Sequence, residues 1–189
     1  MKVAQLFTVL YWTWVGSEAL LQIITRTSRS TGQVKDRGSL LVLLAVIFGS
    51  VWASLDYGAT HAHNLPGNPQ GLRLAALALL IVGLLVRWTA ILTLGVSFST
   101  NVAIHANQTL QKNGLFRWVR HPSYSGMVLI FAGVGLSQRN WISLAIMLIF
   151  PTAALLYRIH VEELALAEAF GDDYAQYRRS TFRLIPGIF

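Results

Sequence analysis

Five apolar runs divide this chain, Val3–Ile24, Ser39–Tyr57, Leu72–Val96, Tyr124–Ser137 and Trp141–Tyr157, and most of its charges lie between or after them. A helix needs about 20 apolar residues to cross the hydrocarbon core of a bilayer, and the first three runs are long enough. The last two are shorter and are separated only by Gln138-Arg139-Asn140. They read as a tight helical hairpin that tilts, thins the bilayer or packs inside a bundle. With 54% hydrophobic and 12% charged residues, against about 25% charged in soluble domains, lipid is the natural solvent for the chain. The expected fold is all-α, a polytopic membrane helical bundle of about five transmembrane helices at about 3–24, 39–57, 72–96, 122–137 and 141–160. No linker or low-complexity tract interrupts it, so residues 1–189 read as one domain. A cleavable signal peptide fits the start poorly, since Lys2 is the sole early charge and no small-residue cleavage site precedes Arg26.

Orientation follows from the Lys and Arg content of the connections. The loop 25–38 holds Arg26, Arg29, Lys35 and Arg37, and the stretch 97–121 holds Lys112, Arg117 and Arg120. The opposite side shows Lys2, Arg73 and Arg139. The N-terminus is therefore expected outside, with both basic segments and the C-terminal tail in the cytoplasm.

The net charge of +7 is spread among apolar spans instead of forming one patch, which argues against nucleic acid as a partner. Absence of cysteine removes disulfides, thiolate nucleophiles and Cys-ligated metals. His61 and His63 stand in a Gly/Pro/Asn-rich loop with only Asp56 near, so they read as solvated loop residues and no metal site is expected.

Polar chemistry gathers in 97–121 and in the tail. Glu162, Glu163, Glu168, Asp172 and Asp173, interleaved with Leu164, Leu166, Ala169 and Phe170, suggest an amphipathic helix lying against the membrane face. Arg87 sits near bilayer depth, where charge is expensive and usually functional, although snorkelling from a helix end explains it equally well. Arg158 ends the fifth run on the same side, so two guanidinium groups could converge there on an anion. Glu162, one turn after Arg158, can pair with it. Glu18 reads as a snorkelling or helix-pairing residue. Pro122, lacking an N–H, suits the first turn of the fourth helix and pushes His121 out of helical conformation. A histidine there is more often a cap than a site.

Two blocks resemble the isoprenylcysteine carboxyl methyltransferase family: Gly114 through Arg120-His121-Pro122-Ser123-Tyr124-Ser125-Gly126, with Phe116 where the motif usually has Tyr, and Arg158…Glu162-Glu163…Phe170-Gly171-Asp172-Asp173-Tyr174…Tyr177…Arg183-Leu184-Ile185-Pro186. Both occur in family order around a helical hairpin, from about Arg87 to the C-terminus. The resemblance implies S-adenosylmethionine as cofactor, contacted by Gln108, Thr109, Leu110, Gln111, Phe116, His121, Pro122, Ser123, Tyr124 and Glu162, in segments 97–126 and 158–189. It implies Arg87 and Arg158 as the catalytic pair gripping the carboxylate of a lipophilic, prenylated substrate, with membrane lipids as the surroundings. Rival expectations are a phospholipid or small-molecule methyltransferase, a membrane reductase, and a non-catalytic assembly factor with a charged partner-binding tail.

Overall fold

Helices carry the architecture: α1 (Val3–Ile24), α2 (Ser39–Thr60), α3 (Pro69–Leu94), α4 (Pro122–Ser137) and α5 (Trp141–Ser180). The structure, a computed structural model, describes residues 2–25, 32–34, 38–62, 64–99, 103–105 and 109–188. Arg26, Arg29, Lys35, Arg37, His63 and Gln108 lie outside the described residues.

By length and composition, α2, α3 and α5 can cross a membrane. The 22 residues of α1 are enough in number, but Gln5, Thr8, Thr13, Ser17, Glu18 and Gln22 dilute its apolar character. With 16 residues, α4 reaches about 24 Å at ~1.5 Å per residue, short of the ~30 Å core. Among the described residues the expected set of about five spans is thus five helices, three of which meet the requirements for crossing. The short α4 sits at the centre, where Ile130 and Phe131 pack with Trp14, Leu43, Leu80 and Met147 from the other four helices. Large apolar side chains such as Trp12, Phe48, Trp52, Leu85, Leu92 and Ile149 instead face outward. An apolar exterior of this kind suits lipid as solvent.

Backbone contact between α3 and α4 sets the geometry of the site. A Cβ on Gly83 would lie 2.7 Å from the Gly126 carbonyl oxygen, and one on Gly126 would lie 2.6 Å from the Gly83 oxygen and 2.7 Å from the Arg87 nitrogen. Small residues permit such close approach of membrane helices, and here it brings Arg87 against the start of α4. On the other flank, Ser54 and Ser143 exchange hydrogen bonds between side-chain hydroxyls and backbone carbonyls, joining α2 to α5.

Several expected boundaries shift. α2 runs on to Thr60, and α3 begins at Pro69, where the Asn68 side chain accepts from the Gln70 N–H at 3.0 Å. α3 ends at Leu94, two residues before the expected end, at a non-helical Gly95. The largest difference is in the tail: α5 continues past 160 through Glu162, Glu163 and Glu168 to a kink at Gly171, beyond which a second helical stretch runs to Ser180. At about 1.5 Å per residue the stretch from Trp141 to Phe170 alone extends about one and a half times the hydrocarbon thickness, so the stretch from Glu162 onward lies beyond the spanning part. Its one non-helical residue is Gly171, at φ 50°, which other residues rarely adopt. The all-α class holds apart from a three-residue ladder in which β1 (Gly32–Val34) pairs antiparallel with β2 (Ala103–His105).

That ladder gathers the segments after α1 and after α3 at one end of the bundle. The tail joins them, with Val119 and Phe182 forming a parallel bridge. At the other end the Leu65 N–H donates to the Arg139 carbonyl, and Asn140 reaches the Ala62 carbonyl at 2.9 Å. His61 there stacks on Tyr57 at 3.8 Å and lies 2.9 Å from the Thr60 hydroxyl, a local arrangement within the end of α2.

Candidate functional site

A cavity opens at the end of the bundle where the ladder and the tail meet. Thr109, Leu110, Gln111, Phe116, His121, Pro122, Ser123, Tyr124, Arg158 and Glu162 all line it, joined by Leu94, Ser97, Phe98, Ser99, Arg120, Leu166, Tyr174 and Tyr177. Every residue expected to contact a cofactor and described in the structure is therefore in one place, Gln108 lying outside the described residues.

Local folding explains the wall. Pro122 is the first residue of α4, with His121 as its N-cap at φ −125°, ψ 58°. Tyr124 and Ser125 both donate backbone N–H bonds to the His121 carbonyl. The preceding turn is secured from outside: Tyr177 donates its hydroxyl to the Phe116 carbonyl at 2.6 Å, and Arg120 and His121 donate their N–H groups to the Phe182 and Arg183 carbonyls. Gln111 lines the cavity, but its amide serves the fold, donating to the Thr93 carbonyl at 3.0 Å and accepting from the Lys112 and Asn113 N–H groups.

Tyr124 stands at the centre of the polar wall. Arg158 Nε donates to its hydroxyl at 3.0 Å, and that hydroxyl donates to Glu162 Oε2 at 2.9 Å. Arg158, 3% exposed, also donates from Nη1 to the Ser39 hydroxyl at 3.1 Å, tying the start of α2 to the site.

Arg87 differs from the expectation. It is buried behind the cavity wall and does not line the cavity. Its Nη1 donates to Ser123 Oγ at 2.8 Å, Nη2 donates to Glu18 Oε2 at 2.5 Å, and Nε donates to Glu18 Oε1. The two arginines thus meet the same turn through adjacent residues, Arg87 through Ser123 and Arg158 through Tyr124. Arg87 is excluded from the cavity because its fork is closed by Glu18, the helix-pairing reading of that residue, and because the glycine contact holds α3 tight against α4.

The sequence reading passed over Glu163. It is 7% exposed and receives Arg120 at 3.1 Å and Arg183 at 2.9 Å, with His121 Nε2 at 3.4 Å. Burial works to raise its pKa, but the hydrogen bonds from His121, Arg183 and Arg120 outweigh burial and hold the carboxyl well below the usual range. Glu163 thereby locks the tail beneath the His121 turn while its neighbour Glu162, about 100° round the helix, faces the cavity. Tyr174 was also missed. It is 2% exposed, and its hydroxyl has no hydrogen-bond partner among the described residues.

Comparisons with known proteins show what the chain is similar to. Residues 76–168 match the model of the isoprenylcysteine carboxyl methyltransferase family. The chain is 34% identical over 116 residues to protein-S-isoprenylcysteine O-methyltransferase of Schizosaccharomyces pombe, covering 60% of this chain and 49% of that protein. It is 36% identical over 112 residues to the Saccharomyces cerevisiae protein of the same name, covering 58% and 47%. The solved structure of a eukaryotic intramembrane Ras methyltransferase, isoprenylcysteine carboxyl methyltransferase, superposes with a TM-score of 0.62 at 25% identity, covering 77% of this chain and 52% of that one. Residues 76–168, just under half of the chain, thus resemble the isoprenylcysteine carboxyl methyltransferase family. Like the intramembrane methyltransferase it resembles, it is a membrane protein, with three apolar helices able to cross a bilayer. It spans about half the length of these relatives. The matched region of the isoprenylcysteine carboxyl methyltransferase family takes in α4, most of α3 and α5 up to Glu168, while α1, with Glu18, lies outside it.

Proposed function

We propose that this chain transfers a methyl group from S-adenosylmethionine to the carboxylate of a lipophilic, prenylated acceptor, forming a methyl ester. The observation that carries the reading is the Arg158, Tyr124 and Glu162 chain on the wall of a cavity that collects the expected cofactor residues. The donor set fits the cofactor chemically. Glu162 offers a carboxylate to an ammonium group, Leu110 and Phe116 offer apolar surface to an adenine, and the unpartnered hydroxyl of Tyr174 is a buried polar group of the kind that calls for a ligand.

When bound, S-adenosylmethionine supplies an electrophilic sulfonium methyl. An acceptor carboxylate is already ionised at neutral pH, so the chain needs no general base. Its task is to bind, orient and exclude water. Arg158 supplies the cation at the cavity wall, and Tyr124, bonded to both Arg158 and Glu162, sets the spacing between the acceptor's grip and the cofactor's ammonium. Arg87 acts through Ser123, holding the first turn of α4 in place.

Arg117, Arg120, Arg178, Arg179 and Arg183 lie at the cavity end, and under the Lys/Arg rule this supports a cytoplasmic position for that end and an N-terminus outside. Cofactor then enters from water, and the acceptor's lipid tail stays among the helices. Incubation of purified protein with labelled S-adenosylmethionine and a panel of prenylated cysteines, amines and phospholipids tests the reading. Base-labile methyl ester on the prenylated carboxylates supports it, and label confined to amines or phospholipids contradicts it.

A further inference from the structure

A second cavity, of about 280 Å³, lies at the end of the bundle away from the first. The buried residues of α1, Trp14 and Leu21, both fall in its second half. The first half of α1 is only partly covered by α2, α3 and α4, and the cavity is the gap that remains. An apolar cavity of about 150 Å³ already holds a benzene ring, so this one has room for a length of acyl chain. Its walls are graded. Arg73, one turn into α3, and Gln138, the C-cap of α4, stand at the end of the bundle. Phe7, Leu55, Ala76 and Val134 line the cavity about one turn further in.

A cationic mouth above an apolar interior is the complement of an amphiphile with an anionic head. Arg73 is exposed and makes neither a hydrogen bond nor an ion pair among the described residues. Gln138 donates to the Ser137 hydroxyl at 3.1 Å and keeps its carbonyl oxygen without a partner there. Among the described residues this end of the bundle carries Lys2, Arg73 and Arg139 against Asp56 alone, so its field favours an anion. A guanidinium fork matches two phosphate oxygens, and basic pockets between membrane helices select anionic headgroups. We propose that this cavity is a binding site for one anionic glycerophospholipid, its phosphate on Arg73 and an acyl chain between α1 and the other helices. Simple snorkelling of Arg73 to the bulk headgroups requires no cavity, whereas here the cation and the gap coincide. The lipid completes the packing of the first half of α1. The inference stands apart from the proposed methyl transfer.

Native mass spectrometry of the detergent-purified full chain tests this, with phosphatidylglycerol and phosphatidylcholine of identical acyl chains as probes. The readout is the ratio of the two affinities for the first lipid bound, which is insensitive to the fraction of folded protein. Wild type is expected to prefer phosphatidylglycerol by about five-fold, the order of one basic side chain beside a headgroup. Arg73→Gln should remove most of that preference. Arg139→Gln, which takes a cation from the same end but not from the cavity lining, should keep it. Ala4→Trp, at an exposed position that lines the cavity, should weaken binding of both lipids by obstructing the chain, and serves if Arg73→Gln folds poorly. Equal affinities in wild type, or a preference that survives Arg73→Gln, overturn the inference. So do an equal loss in Arg73→Gln and Arg139→Gln, which would assign the attraction to the whole end, and Ala4→Trp binding both lipids as wild type does. In a parallel thermal-shift arm, inorganic phosphate stabilising wild type as well as phosphatidylglycerol does would show an anion site without a lipid and overturn it too.

Discussion

Arg158 and Tyr124 are joined at 3.0 Å, guanidinium Nε to phenol oxygen, and the phenol proton is directed to Glu162 at 2.9 Å. One hydroxyl thus accepts from a cation and donates to an anion on the same helix face. Arg158 and Glu162 are four residues apart on α5, and the tyrosine of α4 sets the angle between them.

Tyr124→Phe is expected to weaken S-adenosylmethionine binding by about ten-fold, because the Arg158 donor and the Glu162 acceptor both lose a partner at the cavity wall. Calorimetric titration checks this. Unchanged affinity contradicts the bridging role.

Glu163→Gln leaves Arg120 and Arg183 without their shared anion. Breaking a buried pair costs about 3 kcal/mol or more, so a fall in thermal midpoint is expected. The folded Glu163 carboxyl titrates well below its unfolded value. Its stabilisation is therefore fully present above the ordinary glutamate pKa of about 4.3 and is lost as the pH falls below it. Thermal midpoints of wild type and Glu163→Gln, taken across this range, should converge toward the acid end. A constant gap contradicts the assignment.

Gly126→Ala places a Cβ 2.6 Å from the Gly83 carbonyl oxygen and 2.7 Å from the Arg87 nitrogen, both backbone atoms. Overpacking of this kind costs about 1–3 kcal/mol, and separation of α3 from α4 also carries Arg87 away from Ser123. Gly49→Ala is the control, since nothing lies within 4 Å of its Cβ. The first variant should lose thermal stability and cofactor affinity together, and the second neither.

Legibility in the sequence followed the range of the interactions involved. Apolar runs located all five helices, and Pro122 marked the start of α4 because its missing N–H acts locally. Asn68-Pro69 carried the same kind of signal for α3, a side-chain cap followed by proline, but hydropathy alone set the expected start at Leu72. Composition suggested a separate amphipathic helix after 160, yet the helix runs on through 160 and the break comes only at Gly171, where the backbone is non-helical. Adjacent carboxylates were harder. Glu162 and Glu163 are chemically alike, and only the packing of the tail decides that one faces the cavity and the other Arg183. Glu18 and Arg87 lie 69 residues apart, and their union depends on how α1 meets α3, which local spacing does not encode.

Titration of S-adenosylmethionine into purified wild type, Glu162→Gln and Arg158→Lys tests the central claim most directly. Wild type should bind, Glu162→Gln should bind at least about ten-fold more weakly through loss of a charge-assisted contact, and Arg158→Lys should keep most of its affinity while losing turnover. No binding to wild type, or equal loss in the two variants, would contradict a cofactor seated on Glu162 beside an acceptor held by Arg158.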